Sequence, residues 1–178
     1  MKIKILIASV LTFWGCGQAI DKAADKTTGQ STLSNLNMEI GKGFQIDNPE
    51  IFIPWDISER ELTDLFNGHE LKHVTTGYYT TACTSLKGLN CMLGFHFDPR
   101  SNGRLNELEF FRTNYDDQKK SFDEFQTHFL TAFGQPTNST KGNEGFTNYE
   151  WQFGNVQIVH YVFDRFGPEE HMRIKKGN

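Results

Sequence analysis

The fold is decided by residues 89–111, LNCMLGFHFDPRSNGRLNELEFF. Apolar and polar side chains alternate on both sides of the turn, which is the two-residue period of strands with one buried face. Asn102-Gly103 predicts a two-residue hairpin turn. That turn places Leu108 opposite Phe97, so the stretch predicts two antiparallel strands that share one apolar face.

The same alternation returns in residues 149–162, YEWQFGNVQIVHYV. Gly154-Asn155 predicts the turn, and Tyr149 and His160 then lie side by side on the buried face. A histidine in that position is expected to be a hydrogen-bonded core residue.

Two helices are predicted, one before each set of strands. Ser58 with Glu61 forms a capping box that starts a helix at about Glu59, and Ser121 with Glu124 forms a second box. Phenylalanines follow the second box at helical spacing, at Phe122, Phe125, Phe129 and Phe133.

Each half therefore consists of a helix and three antiparallel strands, over about residues 57–113 and 120–178. Both helices need an apolar partner surface, and a sheet with one apolar face provides it. We expect an α+β two-layer sandwich, a tandem repeat with both helices on one sheet face and the other face open.

The N-terminus predicts an export signal and a lipid anchor. Residues 1–16, MKIKILIASVLTFWGC, have a basic start and an apolar run too short to span a bilayer as a mature helix. Their end resembles the lipobox of bacterial lipoproteins, which implies cleavage after residue 15 and acylation of Cys16. Gly17 and Gln18 follow without the Asp typical of inner-membrane retention, which favours an outer-membrane anchor facing the periplasm. An ordinary secretory signal is the alternative.

Composition divides the remaining chain into a tether and one domain. Residues 16–43 contain no aromatic residue and many small polar ones, which predicts a flexible tether before a single domain at 44–178. The chain has 18 Lys and Arg against 22 Asp and Glu, a net charge of -4, which disfavours nucleic acid as a partner. We expect membrane contact through the lipid anchor alone.

The second half, with FLTAFGQPT at 129–137 and NYEWQF at 148–153, resembles the BamE/SmpA class of outer-membrane assembly lipoproteins. Its order of helix and sheet is also similar to the tandem modules of the β-lactamase inhibitor protein. The resemblance covers about residues 121–178 and implies a module that binds other proteins and has no catalytic activity.

Cys83 and Cys91 lie on either side of a short turn, in a register that places Thr81 against Leu93. Cross-strand neighbours are close enough for a disulfide, and the periplasm is oxidising. We predict a Cys83–Cys91 bridge. A redox or metal pair would need a C-x-x-C spacing that the sequence lacks.

His69-Glu70-Leu71-Lys72-His73 matches H-E-x-x-H, in which two histidines on one helical turn hold zinc and the glutamate polarises water. Gly68 ends the preceding helix in the predicted fold, and Lys72 adds a charge inside the motif. We therefore expect a polar connection without metal or cofactor, and keep a small zinc hydrolase with Glu70 as base, or a zinc site without catalysis, as alternatives.

The open sheet face carries the candidate binding residues. They are out of phase with the buried rows and leave apolar surface on the uncovered side, at Met92, Phe111, Val159, Tyr161 and Phe163. The predicted hairpin also sets His96 against Glu109 on this face as a solvated pair. The sequence thus predicts a lipoprotein that binds another protein, either an envelope-assembly partner or a toxin that it neutralises as an immunity protein. A carrier of lipid or small ligands would need a cavity, which the dense phenylalanine rows disfavour.

Overall fold

The structure is a computed structural model that describes residues 39–99, 102–111, 118–142, 145–164 and 168–177. Side chains are described throughout these ranges except at 118–121, 163–164 and 168–171. The predicted signal sequence and Cys16 lie outside the described residues. Within the described ranges, no helix has the length and apolar character that crossing a membrane requires.

Strands dominate the described part of the chain, and two helices longer than one turn accompany them. The described part of the chain begins with helix α1, which covers residues 39–42. The other elements follow in the order β1 (Gly43–Asn48), β2 (Ile51–Pro54), α2 (Glu59–Leu65), β3 (Lys72–Thr75), β4 (Tyr78–Ser85), β5 (Leu89–Asp98), β6 (Arg104–Phe111), α3 (Gln118–Phe133), β7 (Asn138–Lys141), β8 (Thr147–Phe153), β9 (Val156–Asp164) and β10 (Pro168–Lys176).

The prediction of a two-layer sandwich made of two helix-plus-three-strand repeats is wrong. The described strands form one antiparallel ten-stranded sheet in the order β2-β1-β4-β5-β6-β10-β9-β8-β7, with β3 also paired to β4. Three features of the pairing explain the difference. β1 and β2 extend the sheet beyond β4, the polar strands β3 and β7 add to it, and β6 pairs with β10 in its middle.

The hairpin of β5 and β6 has a longer turn than Asn102-Gly103 predicts. Asp98 pairs with Arg104, and Leu108 lies opposite Phe95 rather than Phe97. Pro99 has no N–H for the ladder, so β5 ends at Asp98. The register differs from the predicted one by two residues at Phe95, which keeps each side chain on its predicted face.

Helix α2 begins as the capping box predicts. The Ser58 hydroxyl accepts from the Glu61 N–H at 3.3 Å, and the Ser58 N–H donates to Glu61 Oε2 at 2.7 Å. Leu62 and Phe66 are buried against the sheet, whereas Leu65 is 38% exposed. Leu62 and Phe66, without Leu65, therefore form the buried side of this short helix.

Helix α3 begins at Gln118, so Ser121 lies inside the helix and the predicted second cap is wrong. The four predicted phenylalanines of this helix are buried, as expected. The helix ends at Phe133, and the next residue, Gly134, has a φ of 76° that suits glycine. The Gly134 carbonyl accepts from the Trp151 indole at 2.9 Å, which ties the helix end to β8.

One continuous core lies between the sheet and the helices. His160 is fully buried in this region opposite Tyr149, as predicted, and its Nδ1 lies 2.8 Å from Gln126 Oε1. The Phe122 ring stacks on the His160 ring with centroids 4.2 Å apart. This contact and the Gln126 bond stabilise a polar ring inside an apolar region.

The described fold starts before the predicted boundary at Phe44. Ile40 is buried, and its carbonyl accepts from the Trp55 indole at 2.7 Å. Gly43 belongs to β1. Residues 39–43, which the composition assigned to the tether, are therefore part of the domain.

Candidate functional site

The candidate site lies on the sheet face opposite α2 and α3, called here the open face. Strand register places Met92 directly opposite Phe111, and Val159 opposite Arg173. Met92, Phe111, Val159 and Tyr161 are all partly buried. Four of the five predicted binding residues are therefore described as partly accessible apolar or aromatic side chains, and the side chain of Phe163 lies outside the described ranges.

Gly94 allows two aromatic rings to pack in the centre of the open face. A Cβ atom at Gly94 would lie 2.8 Å from Tyr78 Oη and 3.2 Å from Phe111 Cε2. Tyr78 also stacks on His96, with ring centroids 4.5 Å apart. The missing side chain thus lets Tyr78 lie over Gly94 while it stacks on His96.

A charged network crosses the sheet beside these rings. Arg173 Nη1 donates to Glu107 Oε1 and Arg173 Nη2 donates to Glu109 Oε1, both at 2.6 Å. The Lys175 ammonium lies 3.7 Å from Glu107 Oε2. Because β6 and β10 are neighbours, the β-period places both carboxylates within reach of one guanidinium.

His96 completes the network, but not in the predicted register. It pairs across the ladder with Glu107, and its Nε2 reaches diagonally to Glu109 Oε2 at 2.8 Å. The Glu109 side chain is only 6% exposed, so the expected solvated pair is instead largely buried. Arg173 and His96 thus contact the two oxygens of one carboxylate.

Burial and the charges of the network shift the pKa of Arg173 and that of Tyr161. Burial is the largest single effect on the pKa of Arg173 and lowers it, but Glu109, Glu107 and Tyr161 together raise it by more, so the net pKa lies above its ordinary value. Burial raises the pKa of Tyr161, which also senses Arg173 and the two carboxylates. Arg173 is therefore a permanent cation, and Tyr161 lies within its electrostatic range.

This arrangement fixes charges in place. Each carboxylate is held by the Arg173 guanidinium, whose fork gives directional bonds to both. Carboxylates bound in this way are compensated by a cation and do not resemble the free base of a hydrolase. The network is suited to holding the surrounding side chains in one geometry.

The H-E-x-x-H residues do not form the arrangement that their spacing suggests. The last helical residue of α2 is Leu65, His69 follows in a bend, and His73 belongs to β3. The His73 ring packs against Tyr79 with centroids 4.9 Å apart. His69 and His73 therefore do not share a helical turn with Glu70 between them. Within the described residues, no three His, Cys, Asp or Glu side chains group closely enough to hold a metal ion.

Cys83 and Cys91 lie directly opposite each other, in the predicted register. Both are buried, and their sulfur atoms are 3.8 Å apart, without a disulfide bond. The hydrogen bond with Cys83 and burial raise the pKa of the Cys91 thiol. The pair is placed for a disulfide, which stays a prediction.

Sequence reasoning did not select Glu107, Arg173 or Tyr78 as site residues. Glu107 and Glu109 follow the two-residue period of the polar face, which was a usable signal for a carboxylate pair. Arg173 is more than 60 residues away from them in sequence. Only the pairing of β6 with β10 shows that Arg173 binds both carboxylates.

Comparison with known proteins gives little further information. Neither protein-family profiles nor curated protein sequences match the chain. One solved structure that it is similar to is described as a DUF4309 family protein (YjgB) from Bacillus subtilis subsp. subtilis str. 168. The TM-score is 0.39 at 12% sequence identity, over 83% of this chain and 95% of that one.

Proposed function

We propose that the protein is a lipid-anchored envelope protein whose domain binds another protein through the open face. The observation that supports this is the composition of the face around Arg173, with Met92, Phe111 and Tyr161 partly exposed beside it. Aromatic residues, Met and Arg are the types enriched at the centres of protein interfaces. The helices cover only the opposite face, so this surface is accessible within the described structure.

The open face is also rigid, which favours binding. Arg173 is held by two carboxylates, and the Tyr78 ring lies over Gly94 and stacks on His96. Side chains that are already fixed lose little conformational entropy when a partner binds. A guanidinium that keeps its own ion pairs also presents no unpaired buried charge to the partner.

The anchor part of the proposal rests on the sequence at Cys16. Acylation there would attach the protein to the outer membrane, with the domain in the periplasm. Metabolic labelling with a palmitate analogue tests this, because the label should enter the native protein and be absent from the Cys16→Ser variant. Equal labelling of both proteins would contradict the anchor.

In-cell photo-cross-linking tests the interaction. A benzoylphenylalanine at Tyr161 or Phe111 should give one discrete adduct, whose second protein is then identified by mass spectrometry. If the second protein is an assembly component, the result supports the role in envelope assembly. If it is a toxin, the result supports the role of an immunity protein.

Thr131 provides the matched control position, because it is exposed on α3 on the opposite side of the sheet. The same photoreactive residue at Thr131 should give no adduct. An adduct of equal yield at Thr131, or no adduct at Tyr161 and Phe111, would overturn the proposed use of the open face.

A further inference from the structure

A second feature of the open face is a shallow cavity of about 230 Å³ where β7, β8 and β9 run side by side. Register places Asn138 opposite Glu150, Glu150 opposite Val159, and Thr140 opposite Asn148. The complete lining is Asn138, Thr140, Asn148, Tyr149, Glu150, Val159 and Tyr161. Three paired strands thus form the cavity.

The lining has two chemical sides. Asn138, Thr140 and Asn148 offer amide and hydroxyl groups along β7 and β8, while Val159 and the Tyr161 ring supply apolar surface along β9. The seven lining residues include no Lys, Arg or His. An anionic ligand would therefore meet a carboxylate without a compensating cation.

One polar group in the cavity is oriented for a ligand with hydroxyl groups. Glu150 Oε1 accepts from Gln157 Nε2 at 2.6 Å, which fixes the orientation of the carboxylate. A carboxylate held in this way can accept further hydrogen bonds from ligand hydroxyls.

From this lining we infer that the cavity binds one ring of a neutral saccharide. The C–H face of a sugar ring packs on apolar and aromatic surface such as Val159 and Tyr161, while its hydroxyls donate to and accept from amides, hydroxyls and carboxylates. The volume suits a single ring. This ligand class goes beyond the proposed protein partner, and the cavity shares Val159 and Tyr161 with the candidate protein-binding residues.

Saturation-transfer NMR tests the inference with the full chain in a detergent that has no sugar headgroup. The probes are cellobiose and N,N′-diacetylchitobiose, with glucuronate as the anionic comparison. We expect saturation to reach the ring C–H protons of at least one neutral disaccharide, and weaker transfer to glucuronate.

Neighbouring residues on β7 give a matched pair of variants. Thr140 and Ser139 are both exposed, but only Thr140 lines the cavity. Thr140→Ala should weaken binding about fivefold, through one lost hydrogen bond, and Ser139→Ala should not change it. Glu150→Ala should weaken binding more, by about tenfold or above, because its hydrogen bond is charge-assisted.

Three results would overturn the saccharide site: no transfer to either neutral disaccharide, stronger transfer to glucuronate, or equal affinities of the Thr140→Ala and Ser139→Ala variants. Cross-linking from Phe111 is measured separately. If the saccharide experiment fails, the protein-binding proposal still depends on the cross-linking result alone. If cross-linking from Phe111 fails, the saccharide site still depends on the NMR result alone.

Discussion

Gly94 shapes the open face because it has no side chain. Tyr78 occupies the space that a Cβ would fill, and this places its ring against His96 and near Phe111. A close approach of this kind is a recognised reason for glycine inside a strand. The packing of the aromatic surface thus depends on one residue.

We expect Gly94→Ala to destabilise the protein by about 1–3 kcal/mol, because the Tyr78 ring must move to avoid the new methyl group. Urea unfolding measures the change. Gly41→Ala is the control, since a Cβ there meets no atom within 4 Å. Equal unfolding midpoints for Gly94→Ala and the wild type would contradict the packing described.

Arg173 compensates two carboxylates, so its removal should be costly. We expect Arg173→Met to destabilise the protein by about 3 kcal/mol, since Glu109 would remain buried without its cation. Lys175→Met should cost less than about 1 kcal/mol, because the Lys175 side chain is 52% exposed.

Adding Glu109→Gln to Arg173→Met should recover part of the lost stability, and a double-mutant cycle by urea unfolding measures this coupling. Additive losses would show that Arg173 and Glu109 do not depend on each other.

At the scale of elements, α2 is a short helix that depends on its N-terminal cap. A hydrogen bond from the Ser58 N–H lowers the pKa of Glu61, and the Ser58 hydroxyl and Arg104 lower it further. Arg104 Nη1 lies 3.2 Å from Glu61 Oε2, so the same carboxylate also connects the helix to β6. The ionised form of Glu61 therefore stabilises the folded state.

This linkage predicts a pH dependence with a definite sign. The contribution is fully present above the ordinary glutamate pKa of 4.5 and is lost as the pH falls through the lower pKa of the folded state. Glu61→Gln keeps a hydrogen-bonding group but should make the urea midpoint less sensitive to acid. Asp64→Asn, in the last turn of α2, should keep the wild-type pH profile. An unchanged profile in Glu61→Gln would contradict the cap's ionic role.

The hairpin of β4 and β5 gives a second prediction at this scale. Protein isolated from an oxidising compartment should contain the Cys83–Cys91 bond, which would stabilise it by about 2.5 kcal/mol for so short a loop. Thiol alkylation of the unfolded protein, with and without prior reduction, detects the bond by mass. Alkylation of both thiols without a reductant would contradict it.

At the scale of the whole molecule, local patterns could be predicted and long-range pairings could not. The cap at Ser58, the buried phenylalanines of α3 and the opposition of Cys83 to Cys91 depend on neighbouring residues, and the sequence was sufficient for them. β3 and β7 were not predicted because all their residues are exposed, so neither strand has an alternating apolar pattern to detect. The two-layer repeat was wrong because the pairing of β6 with β10 has no local signal.

The candidate site divides in the same way. Alternation along each strand was enough to select Met92 and Phe111, which the ladder places opposite each other. The ion network required knowledge that β10 lies beside β6, and the role of Gly94 required the position of the Tyr78 ring. The two-residue period of a strand therefore identifies the sheet face on which a side chain lies, while the pairing of strands identifies which side chains contact each other on that face.

Because one core extends through both ends of the sheet, the described fold should unfold as a unit. Trp55 and Trp151 are buried on opposite sides of the β6–β10 pair and serve as separate reporters. Variants that retain only one of them, with Trp14 also replaced, should show coincident urea transitions by fluorescence. Two separate midpoints would show that the two sides unfold independently.

The pairing of β6 with β10 also sets an order of events during synthesis. Residues 107–110 of β6 pair with residues 172–175, more than 60 residues further along the chain. The strand at the centre of the finished sheet therefore keeps an unpaired edge until β10 has been synthesised. Until then, the nascent protein carries in its middle the kind of unpaired edge that recruits other strands.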